Sequence, residues 1–168
     1  MQCYQTLYST PVGMLRLVAN DDYLLLCDWP AAKHASSHIE KLSTYLPNFS
    51  GITECENPLL RQAMQSLAAY FDGSREDLNP PIVIFGTTFQ CQVWSLLTQI
   101  PYSKTMSYKD LAIMLGKPKA VRAVANAVAS NPLSIFIPCH RVIGSNGQLS
   151  GYEGGVRAKR FLLNLEQE

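Results

Sequence analysis

Between Leu111 and Tyr152 the chain contains no aspartate and no glutamate, although Lys117, Lys119, Arg122 and Arg141 fall inside that span. A segment that is basic and free of acids suits a polyanionic partner, although four positive charges alone do not decide it. The charge is divided along the chain. Residues 1–85 carry five Lys/Arg against nine Asp/Glu, a net −4, and residues 86–168 carry nine against four, a net +5. No C-x-x-C pair occurs, and the five cysteines (Cys3, Cys27, Cys55, Cys91, Cys139) are odd in number and scattered. That excludes zinc-finger spacing, argues against a disulfide framework and favours a reducing compartment. His34 and His38 stand four apart, but without a His-Glu-x-x-His context they read as a solvated helix face, so no metal is expected. Neither G-x-G-x-x-G nor a P-loop is present, so no nucleotide cofactor is expected, and no other cofactor is called for. No apolar run is long enough to span a bilayer, and no signal-peptide pattern opens the chain. The expectation is a soluble, cytoplasmic protein (nuclear in a eukaryote).

The N-terminal part reads as scaffold. Gln5–Tyr8, Met14–Ala19 and Tyr23–Trp29 are strand-like runs separated by turn residues, and together they predict a small antiparallel meander. A helix over Ala35–Tyr45 stops before Pro47. Asn57-Pro58 opens another, with Asn as N-cap and Pro at the first helical position. Leu60, Met64, Leu67, Ala68 and Phe71 form its buried stripe, and Gly73 closes it. The resulting division is an α/β scaffold over 1–80, a linker over 81–87 and a mostly helical part over 88–168.

In that last part Thr88 is the candidate cap of a helix that stops at Pro101. Ser107 and Asp110 make a capping-box start for the next helix, which Gly116 ends. Lys119–Ser130 comes after a short turn. It places Val121, Val124, Ala125 and Val128 on one side and Lys119, Arg122, Ala123, Asn126 and Ser130 on the other. A face that is basic and small lets a helix approach a nucleic-acid groove, and the short turn fits a helix-turn-helix.

One tight turn later, Ile135-Phe136-Ile137-Pro138 reads as a buried strand that delivers Cys139, followed by His140 and Arg141. A thiol beside two cationic side chains should have a lowered pKa, and a nearby histidine supplies a base. Glu166, four residues after Leu162, lies beside the core stripe of the last helix (Val156–Glu168), and an inward carboxylate needs a partner. Cys–His–Glu would complete a nucleophilic triad. On these residues alone, a cysteine hydrolase and a non-catalytic DNA-binding module both remain open.

Pro138-Cys139-His140-Arg141-Val142 resembles the active-site signature of the O6-alkylguanine-DNA alkyltransferases, or methylated-DNA–protein-cysteine methyltransferases. The resemblance extends through Phe89-x-x-x-Val93-Trp94, Ile100-Pro101, Ser107-Tyr108, Arg122-Ala123-Val124, Asn131-Pro132 and Gly154-Gly155-Val156 with Lys159, Leu162-Leu163 and Glu166. Residues 1–80 match loosely, mainly at Thr10-Pro11-Val12-Gly13.

The resemblance implies an α+β fold: a ribonuclease H-like N-terminal domain with a small antiparallel sheet, and a C-terminal domain carrying the helix-turn-helix. It implies irreversible, stoichiometric repair of O6-alkylguanine, and of O4-alkylthymine, in double-stranded DNA by a monomer that flips the base from a minor-groove complex. Cys139 would accept the alkyl group, His140 would take its proton through water, and Glu166 would orient His140. Tyr108 would donate to N3 of guanine and Asn131 would brace the turn. Arg122 would fill the vacated stack, with Lys119, Ala123, Asn126, Ala127 and Arg141 also on DNA. Val142, Ser134, Tyr152, Glu153 and Gly154 would line the pocket. Ala125 and Ser103 stand where the family usually has glycine, and Ser134 where vertebrate enzymes have proline. Apart from Cys3, the residues matching the vertebrate zinc ligands are missing. Alkyltransferase-like proteins that cannot accept an alkyl group have tryptophan at the position of Cys139.

Overall fold

Thr10 closes the first hairpin from both sides. Its hydroxyl accepts from the Val12 N–H at 3.1 Å and donates to the Gly13 carbonyl at 2.7 Å, which joins strand β1 (Gln2–Thr10) to β2 (Gly13–Ala19). The next reversal is an Asx-type turn in which the Asn20 side chain accepts from the N–H groups of Asp22 and Tyr23. It leads into β3 (Leu24–Asp28), antiparallel to β2. A fourth strand, β4 (Gly51–Glu54), adds to the far edge parallel to β1, giving the order β3-β2-β1-β4. The sheet is therefore mixed, whereas the sequence indicated an antiparallel meander only. Helices α1 (Ala35–Tyr45) and α2 (Pro58–Phe71) pack against it. Cys3, Val18, Leu25, Leu26, Leu42 and Leu46 form one continuous core cluster. Each fully buried leucine there contributes roughly 2 kcal/mol.

The computed structural model describes residues 1–168, which form two compact units, Met1–Phe85 and Gly86–Glu168. The segment around Pro81–Val83 belongs to the first. Leu24 donates to the Pro81 carbonyl at 2.8 Å and accepts from the Val83 N–H at 3.2 Å, extending the sheet beyond β3. In the same unit Asp28 is 2% exposed. It accepts a bidentate pair of bonds from Arg16 (Nε 3.0 Å, Nη2 2.7 Å) and lies 2.8 Å from His38 Nδ1. His38 is thus buried in an ion-pair network. The solvated face expected for it is not what forms, because the enclosed Asp28 carboxylate requires partners.

The second unit opens on α3 (Thr88–Leu97). Its N-cap is Thr87, one residue before the one expected, in a capping box with Gln90. Gly86 precedes it in contact with the Trp94 ring: a Cβ there would stand 2.5 Å from a ring carbon. A two-residue strand β5 (Met106–Ser107) leads into α4 (Tyr108–Met114), which starts with the Ser107–Asp110 capping box. After the Gly116–Ala120 turn comes α5 (Val121–Ala129). A single 3-10 turn holds Cys139–Arg141, β6 (Val142–Ile143) pairs parallel with β5, and α6 (Val156–Leu165) ends the chain with Glu166 as its C-cap. No helix is long and apolar enough to cross a membrane.

Candidate active site

Helix α5 stops at Ala129, and Asn131 organises the segment from Leu133 to Ile137. The residue is 2% exposed; its amide donates to the Ile137 carbonyl at 2.8 Å and its oxygen accepts from the Leu133 N–H at 3.0 Å. The chain between those residues therefore folds into tight turns, closed by Phe136 N–H to Ser134 O and Ile137 N–H to Leu133 O. The buried strand expected over Ile135–Ile137 does not form. Ile135 sits at φ +72°, a left-handed conformation that costs an L-residue roughly 1–2 kcal/mol and breaks any strand. An apolar run buried on all sides reads alike whether it is strand or turn.

The turn delivers Cys139, 5% exposed, with its N–H on the Ile137 carbonyl at 2.7 Å. His140 is completely buried, and its Nε2 lies 2.7 Å from Glu166 Oε1. Glu166 is 1% exposed. Burial alone would raise its carboxyl pKa, but hydrogen bonds from His140 and Arg141 outweigh burial and hold it at about 2. An ionised carboxylate only accepts, so the proton on Nε2 is fixed and Nδ1 is left as the basic nitrogen. Burial also lowers the His140 pKa, against the opposing pull of Glu166.

Arg141 departs from the expected DNA contact. Its guanidinium donates to both Glu166 oxygens at 3.0–3.2 Å and to the Ile100 carbonyl at 2.7 Å, and its side chain is 12% exposed. The same bonds overturn the argument that Cys139 is acidified by its two chain neighbours, because His140 and Arg141 are both turned onto Glu166. Burial pushes the thiol up to about 11. Opposing this are a hydrogen bond with the Asn131 side chain and the positive charge of Lys159, while Glu153 adds to the rise.

Lys159 is the residue that sequence reasoning left without a role. It is 1% exposed and donates to the Ser150 carbonyl at 3.2 Å. The Tyr108 hydroxyl donates to the same carbonyl at 3.0 Å, and the ammonium lies 5.7 Å from the Tyr108 ring centroid. Burial brings Lys159 down to about 8, offset by attraction to the Cys139 sulfur. The signal was in the spacing: Lys159, Leu162 and Glu166 are i, i+3 and i+7, one helical stripe. Tyr108 is itself raised, by burial and then by the Cys139 charge. The loop beside it requires Gly151, at φ +68° with its Cβ direction 3.5 Å from the Tyr108 hydroxyl.

The structure thus gathers Cys139, His140, Glu166, Asn131 and Tyr108 into one connected site. Val142, Ser134 and Tyr152 are buried, and Glu153 and Gly154 half-buried. On α5, Arg122, Ala123 and Asn126 are exposed or half-buried, and Lys119 is exposed in the turn before it. Ala127 and Ser130 are not. Ala127 is 3% exposed and its carbonyl accepts the Trp94 indole N–H at 2.8 Å and the Ser130 hydroxyl at 3.0 Å. Ala127 is turned inward because it shares the i, i+3 and i+4 stripe with Val124 and Val128. No group of His, Cys, Asp and Glu is arranged to hold a metal ion.

Residues 88–168 match the DNA binding domain of 6-O-methylguanine DNA methyltransferase, and residues 3–84 match the ribonuclease-like domain of the same proteins. The chain belongs to the 6-O-methylguanine DNA methyltransferase family. The methylated-DNA–protein-cysteine methyltransferase of Methanosarcina barkeri is 39% identical over 164 residues, covering 98% of this chain and 97% of that protein. The constitutive enzyme of Bacillus subtilis is 40% identical over 170 residues, covering 98% and 95%. Among solved structures, Mycobacterium tuberculosis OGT in complex with DNA has a TM-score of 0.82 at 33% identity, over 99% of this chain and 93% of that one. The O6-methylguanine-DNA methyltransferase of Pyrococcus kodakaraensis, at 20% identity and a TM-score of 0.66, shares the fold. The α+β architecture of this methyltransferase family is the one described above.

Proposed function

We propose that this chain repairs alkylated DNA by moving the alkyl group from O6 of guanine to the sulfur of Cys139. The observation that carries this reading is a buried thiol at Cys139, set at the end of the Asn131-braced turn and followed in the chain by a histidine bonded to Glu166. The thiol is buried, and the imidazole next to it in the chain has its Nε2 2.7 Å from the Glu166 carboxylate. The thiol proton passes to His140 Nδ1, through water. The sulfur then attacks the alkyl carbon, the carbon–O6 bond breaks, and its electron pair stays on guanine. Tyr108, its hydroxyl turned from the Ser150 carbonyl to N3, steadies that charge, and the proton held on His140 returns through water to the released guanine. The product thioether has no route back, so one molecule repairs one base. O4-alkylthymine falls under the same reading, since it also presents an alkyl ether beside a ring nitrogen.

A thiol 5% exposed is out of reach of a base stacked in a duplex, which supports flipping of the damaged nucleotide. Extrusion costs a few kcal/mol, less for a mispaired base. Helix α5 is the groove element in this reading. Arg122, exposed in its first turn, fills the gap in the stack, and Lys119, Ala123 and Asn126 lie against the backbone. Val142, Ser134, Tyr152, Glu153 and Gly154 form the base pocket. Residues 88–168 carry both binding and transfer, with the N-terminal unit as scaffold. Every group comes from one chain, so a monomer suffices.

The test is the mass of the intact protein after mixing with an O6-methylguanine oligonucleotide. The outcome expected is a gain of one CH₂ per molecule, mapped to the peptide holding Cys139 and lost in Cys139→Ala. A gain elsewhere, or none, overturns the reading. Repeated turnover beyond one product per molecule would indicate a hydrolase instead.

A further inference from the structure

His140 and Arg141 are not the only groups that hold the Glu166 carboxylate. The turn between α3 and β5 reaches it as well, directly through Ser103 and indirectly through Arg141. Ile100 offers its carbonyl to Arg141 Nη1 at 2.7 Å. The Tyr102 ring lies 5.7 Å from the Arg141 guanidinium carbon, within cation–π range. Ser103 gives its backbone N–H to Glu166 Oε2 at 3.2 Å. Gln167, next to the carboxylate in the chain, closes the loop by donating its side-chain amide to the Ser103 carbonyl at 2.9 Å. These bonds run from one four-residue turn to the Arg141–Glu166 pair and to the residue after it.

Ser103 adopts φ +63°, in the left-handed region where a non-glycine residue is uncommon. A serine kept there implies that the surrounding bonds fix the turn more strongly than the local strain resists. The left-handed turn is what aims the N–H of residue 103 at the carboxylate. Glycine would adopt the same conformation without strain. A residue without a backbone N–H could not serve.

We propose that the 100–103 turn, through Tyr102 and Ser103 and clamped by Gln167, is a positioning element that fixes Glu166 and thereby the tautomer of His140. The proposal rests on the reading of Cys139 as acceptor and His140 as its base. Tyr102, Ser103 and Gln167 touch no reacting atom. They set the carboxylate, the carboxylate sets which ring nitrogen carries the proton, and the remaining nitrogen is the base.

Two measurements test this on the full-length protein. The first is single-turnover transfer from O6-methylguanine DNA across pH, with the methylated peptide identified. The second is nitrogen NMR of the histidine rings, which distinguishes the Nε2–H and Nδ1–H tautomers without any substrate. Tyr102→Ala and Gln167→Ala should each slow transfer about fivefold, and together more than tenfold, with His140 passing from a single Nε2–H form to a mixture. Tyr102→Phe keeps the ring and Ser103→Gly keeps the N–H, so both should retain the wild-type pH profile and ring signal. Transfer to Cys139 at the wild-type rate by the double variant, with an unchanged His140 spectrum, overturns the inference while leaving the proposed function intact. Failure of the wild-type protein to be methylated at Cys139 overturns the function reading instead. A double variant that does not fold shifts the decision to the single variants, whose ring spectra decide it in the same way.

Discussion

Each of the two units encloses one carboxylate held between an arginine and a histidine. In the first, Asp28 is gripped by Arg16 and His38 Nδ1. In the second, Glu166 is gripped by Arg141 and His140 Nε2. The donor distances overlap, 2.7–3.0 Å against 2.7–3.2 Å, and both carboxylates are 2% exposed or less. What separates them is the neighbour. The Asp28 network joins β2, β3 and α1, a tie that any small domain can use. The Glu166 network holds a histidine one residue from a buried thiol. Arginine, carboxylate and histidine together are therefore a structural device by default, and under the proposed function it is the sulfur that gives the second copy its chemistry.

The sharpest way to break this comparison is to neutralise each carboxylate in turn. Glu166→Gln should slow single-turnover alkyl transfer by on the order of a hundredfold, the size of general-base assistance. Asp28→Asn should leave the rate of the folded protein unchanged in a rapid-quench assay. Its effect should appear in urea unfolding instead, as a loss of about 3 kcal/mol from a broken buried pair. Equal effects of the two substitutions on rate would erase the distinction.

Acid titration sharpens the second network. The Glu166 carboxyl is held at about 2 against an ordinary 4.5. Between those values the unfolded chain binds the extra proton, so stability is full above about 4.5 and falls as pH drops toward 2. The loss should be about 3 kcal/mol by circular dichroism, and Glu166→Gln should flatten that limb. Next in size is Lys159→Met, which removes the charge that opposes the raised thiol pKa. The reaction of Cys139 with a small alkylating reagent near neutral pH should slow several-fold, because only the thiolate reacts.

Salt dependence separates two of the basic residues in the second unit. Lys119→Ala should reduce the slope of log affinity against log salt by about one, as loss of a phosphate contact does. Arg141→Ala should leave that slope unchanged, since its guanidinium is spent on Glu166. The smallest effect belongs to Thr87→Ala, which removes the capping box of α3 and should cost about 1 kcal/mol.

How much of this was legible beforehand depended on how far apart the partners lie. Caps were readable because Asn57 and Leu60, or Ser107 and Asp110, are three residues apart and bond directly. Strand β4 was not, since four residues pair with β1 across nearly fifty positions and carry no clean alternation. Ala127 was misassigned for a different reason: a small residue suits a groove face and a packed interface equally well. Cys139, His140 and Glu166 could be singled out because their chemistry is rare in combination. The state of the thiol was misjudged, however, because adjacency in the chain was taken for adjacency in space. In a 3-10 turn, side chains one and two residues on leave in other directions, and both went to Glu166. Lys159 was overlooked because a charge argued against a core position that its spacing supported.

The bare backbone at Gly86 has a reach beyond its own turn. The Trp94 ring fills the place where a side chain would stand, and the other edge of that indole fastens the carbonyl of Ala127 near the end of α5. Junctions between compact units ordinarily tolerate substitution and insertion better than any interior does. Here even one methyl group would press on the tryptophan, and the displacement would pass to the final turn of the helix that leads to Cys139. A change made at the border of this half of the molecule would be felt at its centre.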